Sequence, residues 1–302
     1  MRVARGKCDA FDERNETRMK IIADSSVMFD IEQGRRHGIE ILPLSVAIGS
    51  ETWAEYEQMS SDEFLARVRA GALPQSSSPS PAATLAAYET DEEVVHLAMA
   101  DGLSGAYEVA CGLAKQARHP ERIHVVNSRT LCIPHRALAL CAVEFAKQCD
   151  SAEEVVSRLL PIIESAHSYL LPEDFDYLRR GGRLTPLAAK FAHLLKAVPV
   201  MMQTSDGTRL ERLTVARGFG KALNAVIGDL RKRGITDTSY LGVSHAGNIK
   251  QARVAQEALA EAFPSCENGL FELGPAFITQ GGPDCIAIQA IDLKAVPNLP
   301  MG

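Results

Sequence analysis

The stretch EVVHLAMADGLSGAYEVACGLAKQAR, residues 93–118, decides the fold. It opens with the apolar run Val94-Val95-His96-Leu97-Ala98-Met99 and passes through a polar turn, Asp101-Gly102-Leu103-Ser104-Gly105. An alanine- and leucine-bearing segment then continues to Arg118 and reads as helix. A short apolar run feeding a helix through a glycine turn is a buried strand of a parallel α/β sheet. The first N–H groups of such a helix have no partner within it, and with the helix dipole they favour a small anion. The two glycines let that anion approach the backbone, and Ser104 adds a hydroxyl where an N-cap sits. The same hydroxyl serves equally as a plain cap, and this stretch alone leaves both readings open.

Working outward, Lys20-Ile21-Ile22-Ala23 is a strand ending in the polar cluster Asp24-Ser25-Ser26. Open α/β sheets gather ligand groups at such strand ends, although an ordinary turn has the same composition. Ile39 to Ile48 reads as a second strand with an irregularity or edge at Pro43. Ser60 and Glu63 form a capping box for a helix to about Arg69. Leu73 to Pro81 holds Ser76-Ser77-Ser78, then two prolines, and reads as a rigid loop entering a helix at Pro81. Its hydroxyls suit an oxygen-binding site, and equally a solvated linker. Ile123 to Val126 is a further strand, and helical patterns fill Pro134 to Gln148 and Ala152 to His167. Strands alternating with helices predict a parallel-sheet α/β domain over residues 19–166, preceded by a charged leader over 1–18.

Residues 167–302 read as a second α/β domain with a mixed or antiparallel sheet. A short strand at Ser168 to Leu171 leads to a helical turn or two and then to Arg179-Arg180-Gly181-Gly182-Arg183. Three arginines around two glycines suit contact with an anion or a partner, and equally a flexible surface loop. A helix follows over Pro186 to Leu195. Asp206-Gly207 between two β-runs predicts a hairpin, and a helix covers Ala216 to Arg233. Strand Tyr240 to Ser244 leads to a helix capped by Asn248. Strands at Leu270 to Thr279 and Asp284 to Ile291 flank a glycine-rich turn, Gln280-Gly281-Gly282-Pro283.

The net charge of −6 and the lack of a basic stripe speak against nucleic-acid binding. No apolar stretch is long enough for a membrane span, and residues 1–18 lack the apolar core of a signal peptide. A cytoplasmic location is expected, with transient membrane contact left open. Seven cysteines without a CxxC pair read as reduced thiols, and neither a metal nor a cofactor is indicated. Ser104 lacks the glycines of a nucleophile elbow, and His245 is a lone histidine in a strand-end turn. No activated nucleophile or acid–base pair is evident, so the profile is that of a binder rather than an enzyme.

Several spaced pieces carry a resemblance: Ile21-Ile22-Ala23-Asp24-Ser25-Ser26, Ser76-Ser77-Ser78-Pro79-Ser80, Leu103-Ser104-Gly105-Ala106-Tyr107 and Asn127-Ser128. Asp176-Tyr177-Leu178-Arg179-Arg180-Gly181-Gly182-Arg183, Asp206-Gly207, Arg217-Gly218 and Gly274-Pro275 follow in order. Together they resemble the DegV family, bacterial fatty-acid-binding proteins that serve fatty acid kinase as acyl carriers. The resemblance implies a two-domain α/β protein holding a long-chain fatty acid in an apolar tunnel. It implies Ser76, Ser77, Ser104 and the N–H of Gly105 around the carboxylate, and Arg180 and Arg183 facing the kinase and the transferred phosphate. Gln280 is a further carboxylate-binding candidate, able to donate a hydrogen bond but never to carry a positive charge. The binding protein supplies no chemistry of its own in that system; the ATP-dependent kinase subunit does, on the way to phospholipid. Four departures stand out. The family's Thr-Ser-Gln-Pro-Ser is Ser76-Ser77-Ser78-Pro79-Ser80, the threonine after Ser-Gly is Ala106, and Asp-Ser is Asn127-Ser128. The histidine of the last glycine turn is Gln280, followed by Gly282-Pro283-Asp284, and an Asp284 facing the headgroup would repel it.

Overall fold

A computed structural model describes residues 19–190 and 197–301. The expected leader and the last part of the helix expected over 186–195 lie outside the described residues. The strands are β1 Met19–Asp24, β2 Ile39–Leu42, β3 Ser45–Ile48, β4 Glu51–Ala54, β5 Pro74–Ser77, β6 Glu93–Ala98 and β7 Ile123–Asn127. They continue as β8 His167–Leu171, β9 Val198–Gln203, β10 Leu210–Ala216, β11 Ser239–His245, β12 Glu267–Glu272 and β13 Ile286–Asp292. The helices are α1 Ile31–Arg36, α2 Ser61–Arg69, α3 Pro81–Tyr88, α4 Ala106–Ala114, α5 Cys132–Ala146 and α6 Ala152–Glu164. After them come α7 Phe175–Arg180, α8 Pro186–Ala189, α9 Phe219–Lys232, α10 Ile249–Ala262 and α11 Pro275–Gly281.

The opening stretch folds as its pattern requires. Strand β6 lies inside an all-parallel sheet of order β2-β1-β6-β7, and Val94, Val95 and Leu97 are wholly buried. A mixed sheet of order β10-β9-β8-β13-β11-β12 holds the later strands, including the hairpin around Asp206-Gly207. Helix α5 packs between the two sheets, against β1 and β6 on one side and β13 on the other. This explains its apolar composition all round its axis, with thirteen buried residues from Cys132 to Ala146. Gly242 on β11 permits the approach, since a Cβ there would stand 2.1 Å from Ile133 Cδ1. Helices α3 and α4 cover the outer face of the parallel sheet, and α9 and α10 that of the mixed sheet. The order across the molecule is helix, sheet, helix, sheet, helix.

Three expectations need correction. Ile39 to Ile48 is not one strand: β2 stays in the parallel sheet and β3 joins β4 and β5 in a small antiparallel sheet. The break falls at Pro43, which has no N–H for a ladder, and the next amide, Leu44 N–H, donates to Ser25 Oγ at 2.8 Å. The serine loop is partly strand: β5 pairs with β3, Ser76 opposite Val46 and Ser77 opposite Ser45. Leu270 to Thr279 is a strand only as far as Glu272, where β12 ends. Pro275 occupies the first turn of α11, where a missing N–H costs nothing. The apolar run Pro275-Ala276-Phe277-Ile278 is buried on all sides, so no period marked it as helical.

Candidate functional site

A cavity of about 240 Å³ opens between the serine strand, the turn after β6, the inner face of the mixed sheet and α11. Leu44, Met99, Leu103, Leu131, Leu170, Leu178, Leu273, Ala276 and Phe277 make most of its wall. Ser76, Ser77, Ser78, Ser104, Gly105, Arg183 and Gln280 also line it. Ser77 and Gly105 are exposed, so the hydroxyl-rich end meets solvent. Long sequence separations thus converge on one mouth.

The turn after β6 is shaped locally. Gly102 takes a positive φ of 82° against Thr208, and Arg209 donates to the Gly102 carbonyl. The cap of α4 is Gly105, not Ser104. Ser104 Oγ accepts the Ala106 N–H at 3.1 Å and keeps its own proton to donate. Ser104 N–H goes to Ala100 O at 3.1 Å, while no acceptor among the described residues takes the Gly105 N–H. Gln280 Nε2 donates to Ser76 Oγ at 3.1 Å, fixing α11 to the serine strand. Its Oε1 is buried without a partner, against Gly181, where a Cβ would stand 2.5 Å from it.

Arg183 joins the basic segment to the serine turn: Nε donates to Leu103 O at 3.0 Å and Nη1 to Gly181 O at 2.5 Å. Burial and the neighbouring Arg209 lower its pKa, and no carboxylate among the described residues pairs with it. A second cavity, of about 340 Å³, shares Ser76, Arg183 and Gln280 with the first and adds Tyr177 and Arg180. Arg180 is exposed, with its guanidinium 5.1 Å from the Tyr177 ring centroid, and stands outside the first cavity.

The chain and its fold have counterparts among known proteins. Residues 18–293 match the family described as "Uncharacterised protein, DegV family COG1307". The chain belongs to the DegV family. Among curated DegV proteins, the DegV domain-containing protein TTE1491 of Caldanaerobacter subterraneus is 24% identical over 276 residues, spanning 90% of this chain and 98% of that one. A DegV protein from Ruminococcus gnavus, refined with vaccenic acid, is 26% identical with a TM-score of 0.81, covering 91% of this chain and 100% of that chain. A fatty-acid-binding DegV protein from Thermus thermophilus is 25% identical with a TM-score of 0.81, covering 91% and 99%.

The departures from the DegV pattern sort themselves by position. Ala106 is buried at the first turn of α4. Asn127 Oδ1 accepts the N–H groups of Asp101 and Arg129 at 3.2 and 2.9 Å, so it builds the turn. Asp284 does not line the cavity: it pairs with Arg69 at 2.5 Å. Ser76 and Ser78 of the serine segment and Gln280 stand at the mouth. His245 is buried, takes the Gly247 N–H on Nδ1 at 3.3 Å, and does not share the cavity with Ser104. Among the described residues no cluster of His, Cys, Asp and Glu is arranged for a metal, and no helix is long and apolar enough to cross a membrane.

Asp24, Ser25 and Ser26 are wholly buried behind the cavity and do not line it. Asp24 accepts the N–H groups of Ser26 and Met99, and Ser26 Oγ lies 2.5 Å from His135 Nδ1. Glu55 carries no functional mark in the sequence, yet its carboxylate takes the Ser25 hydroxyl at 2.5 Å and the Ala276 N–H at 2.9 Å. It braces α11 from behind; a lone glutamate after a short strand gives no sign of burial. Burial pushes its pKa up to about 7 from 4.5, against the pull of those two donors. A raised folded pKa means the folded state binds more protons than the unfolded chain between those values. Its stabilising contribution is therefore full below about pH 4.5 and is lost as pH rises to about 7, a loss of about 3 kcal/mol. Denaturant titrations across that window should show this decline, and Glu55→Gln should flatten it; an unchanged slope in the variant would place the titration elsewhere.

Proposed function

We propose that the protein binds a long-chain fatty acid, its hydrocarbon in the apolar cavity and its carboxylate at the mouth. Ser76, Ser77, Ser104 and the Gly105 N–H hold the carboxylate, with Gln280 beside them. The observation that carries this is the polarity of one cavity: hydroxyl and amide groups gather at a solvent-open end whose remaining walls are largely leucine, alanine and phenylalanine. Each buried CH₂ contributes about 0.8 kcal/mol, so the tail supplies affinity and the polar end fixes direction. The fatty acids bound by the Ruminococcus and Thermus relatives support the same assignment. Extraction of the purified protein with organic solvent, followed by mass spectrometry, should release about one fatty acid per chain. Repeated preparations yielding none would sink the reading, and another anionic lipid or small acid would replace the ligand class.

The bound carboxylate is then presented to a separate ATP-dependent fatty acid kinase, which transfers the terminal phosphoryl group of ATP to a carboxylate oxygen. The second cavity supports this, because it meets the first at Ser76, Arg183 and Gln280 and carries Arg180 on its exposed side. Arg180→Ala should leave fatty-acid retention unchanged and slow acyl-phosphate formation at least tenfold when the kinase is added. Loss of the lipid in that variant would assign Arg180 to the headgroup instead.

A further inference from the structure

The cavity wall carries a second polar patch that carboxylate binding does not use. Gln289 on β13 and Ser168 on β8 are register partners in the mixed sheet. Side chains alternate along β13, so Ile286, Ile288 and Ala290 enter the core on the α9 and α10 side while Cys285 and Gln289 line the cavity. Cys285 marks the headgroup end, because a Cβ on Gly281 beside Gln280 would stand 2.7 Å from its Sγ. Four strand residues further, Gln289 lies roughly 13 Å deeper along the wall. The pair therefore lies in the cavity wall away from the hydroxyl-lined mouth, with Ser168 also bordering a separate polar cavity of about 150 Å³.

The two side chains differ in what they have left to give. Gln289 is 1% exposed and fully engaged: Nε2 donates to Leu131 O at 2.9 Å and Ser168 Oγ at 2.8 Å, and Oε1 accepts the Ile133 N–H at 3.2 Å. Ser168 is 9% exposed, and its oxygen is held by Gln289. A hydroxyl is also a donor, and no acceptor among the described residues takes the Ser168 proton. A methylene chain offers none, and an unmet buried donor is costly.

We propose that the cavity prefers acyl chains carrying an oxygen along the chain, a hydroxyl or keto group that accepts the Ser168 proton. Gln289 is the positioning residue that fixes Ser168 for this contact. The inference rests on the fatty-acid reading and goes beyond it by naming the ligand's substitution. Delipidated protein is titrated with stearic acid and with hydroxystearic acids bearing the hydroxyl at carbon ten and carbon twelve. At least one hydroxy acid should bind roughly three- to tenfold more tightly than stearic acid. Ser168→Ala should erase that preference without weakening stearic acid, and Ser168→Thr, which keeps the donor, should retain it. Equal or weaker binding of both hydroxy acids by the unaltered protein overturns the proposal, whatever the variants do. A preference that survives Ser168→Ala overturns it too. Binding of none of the three removes the fatty-acid reading itself, and this inference with it.

Discussion

Arg136→Ala should lower folding stability by about 3–5 kcal/mol, seen as a reduced denaturant midpoint at unchanged slope. Arg136 projects from the central helix α5 and is 6% exposed. Its Nε donates to Val27 O at 3.1 Å, one terminal nitrogen to Met301 O at 2.9 Å and the other to Met28 O. The guanidinium lies 4.0 Å from the Phe29 ring centroid and 5.0 Å from that of Phe271. Burial lowers its pKa to about 10, so the cation is held by carbonyl dipoles and ring faces. Truncation strips the donor from three backbone carbonyls, each costing about 1–3 kcal/mol when left unmet in the interior. Lysine should not rescue, because an ammonium point charge cannot reproduce a planar fork reaching three acceptors. A loss below 1 kcal/mol would mean that water replaces the guanidinium. Arg136 does not line the cavity, so folded Arg136→Ala should bind fatty acid as before.

That arginine also shows where sequence reading stops. Local signals were legible: the β6 run, the Asp206-Gly207 hairpin and the Asn248 cap all fold as their patterns require. Elements packed on several sides were not. Helix α11 has no polar face to give a period, and the residues from Ile39 to Ile48 are apolar enough to hide a change of sheet at Pro43. Arg136 sits in the run Cys132-Ile133-Pro134-His135-Arg136, where nothing announces a buried cation.

The site was legible to the extent that its residue types are unusual where they stand. Serines packed beside prolines, and a serine between Leu103 and Gly105, mark themselves, and the fold brings them to one mouth together with Gln280. Ser78 lines the cavity as well, and adjacent hydroxyls in a run carry no mark that distinguishes one from the next. Ser168 and Gln289 were invisible, since each belongs to an ordinary strand. Only the pairing of β8 with β13, 121 residues apart at their hydrogen bond, turns them into a feature of the wall.

Filling the cavity should have the largest functional effect. Ala276 lies on α11 with its side chain in the apolar wall and its N–H held by Glu55. In Ala276→Phe the backbone hydrogen bond survives, and the added ring has the cavity to enter. The phenyl group takes up space in the 240 Å³ cavity that the chain would otherwise enter. Denying burial to four methylenes forfeits about 3 kcal/mol, which weakens fatty-acid binding more than a hundredfold. Co-purified lipid should fall to trace levels in solvent extracts. The delipidated variant should melt within a few degrees of the delipidated parent, because the ring fills space instead of displacing packed atoms. Those two readouts together separate a blocked cavity from a broken fold. A variant that folds normally and still carries stoichiometric lipid would mean the hydrocarbon lies elsewhere, leaving the hydroxyl-lined mouth without a tail to anchor.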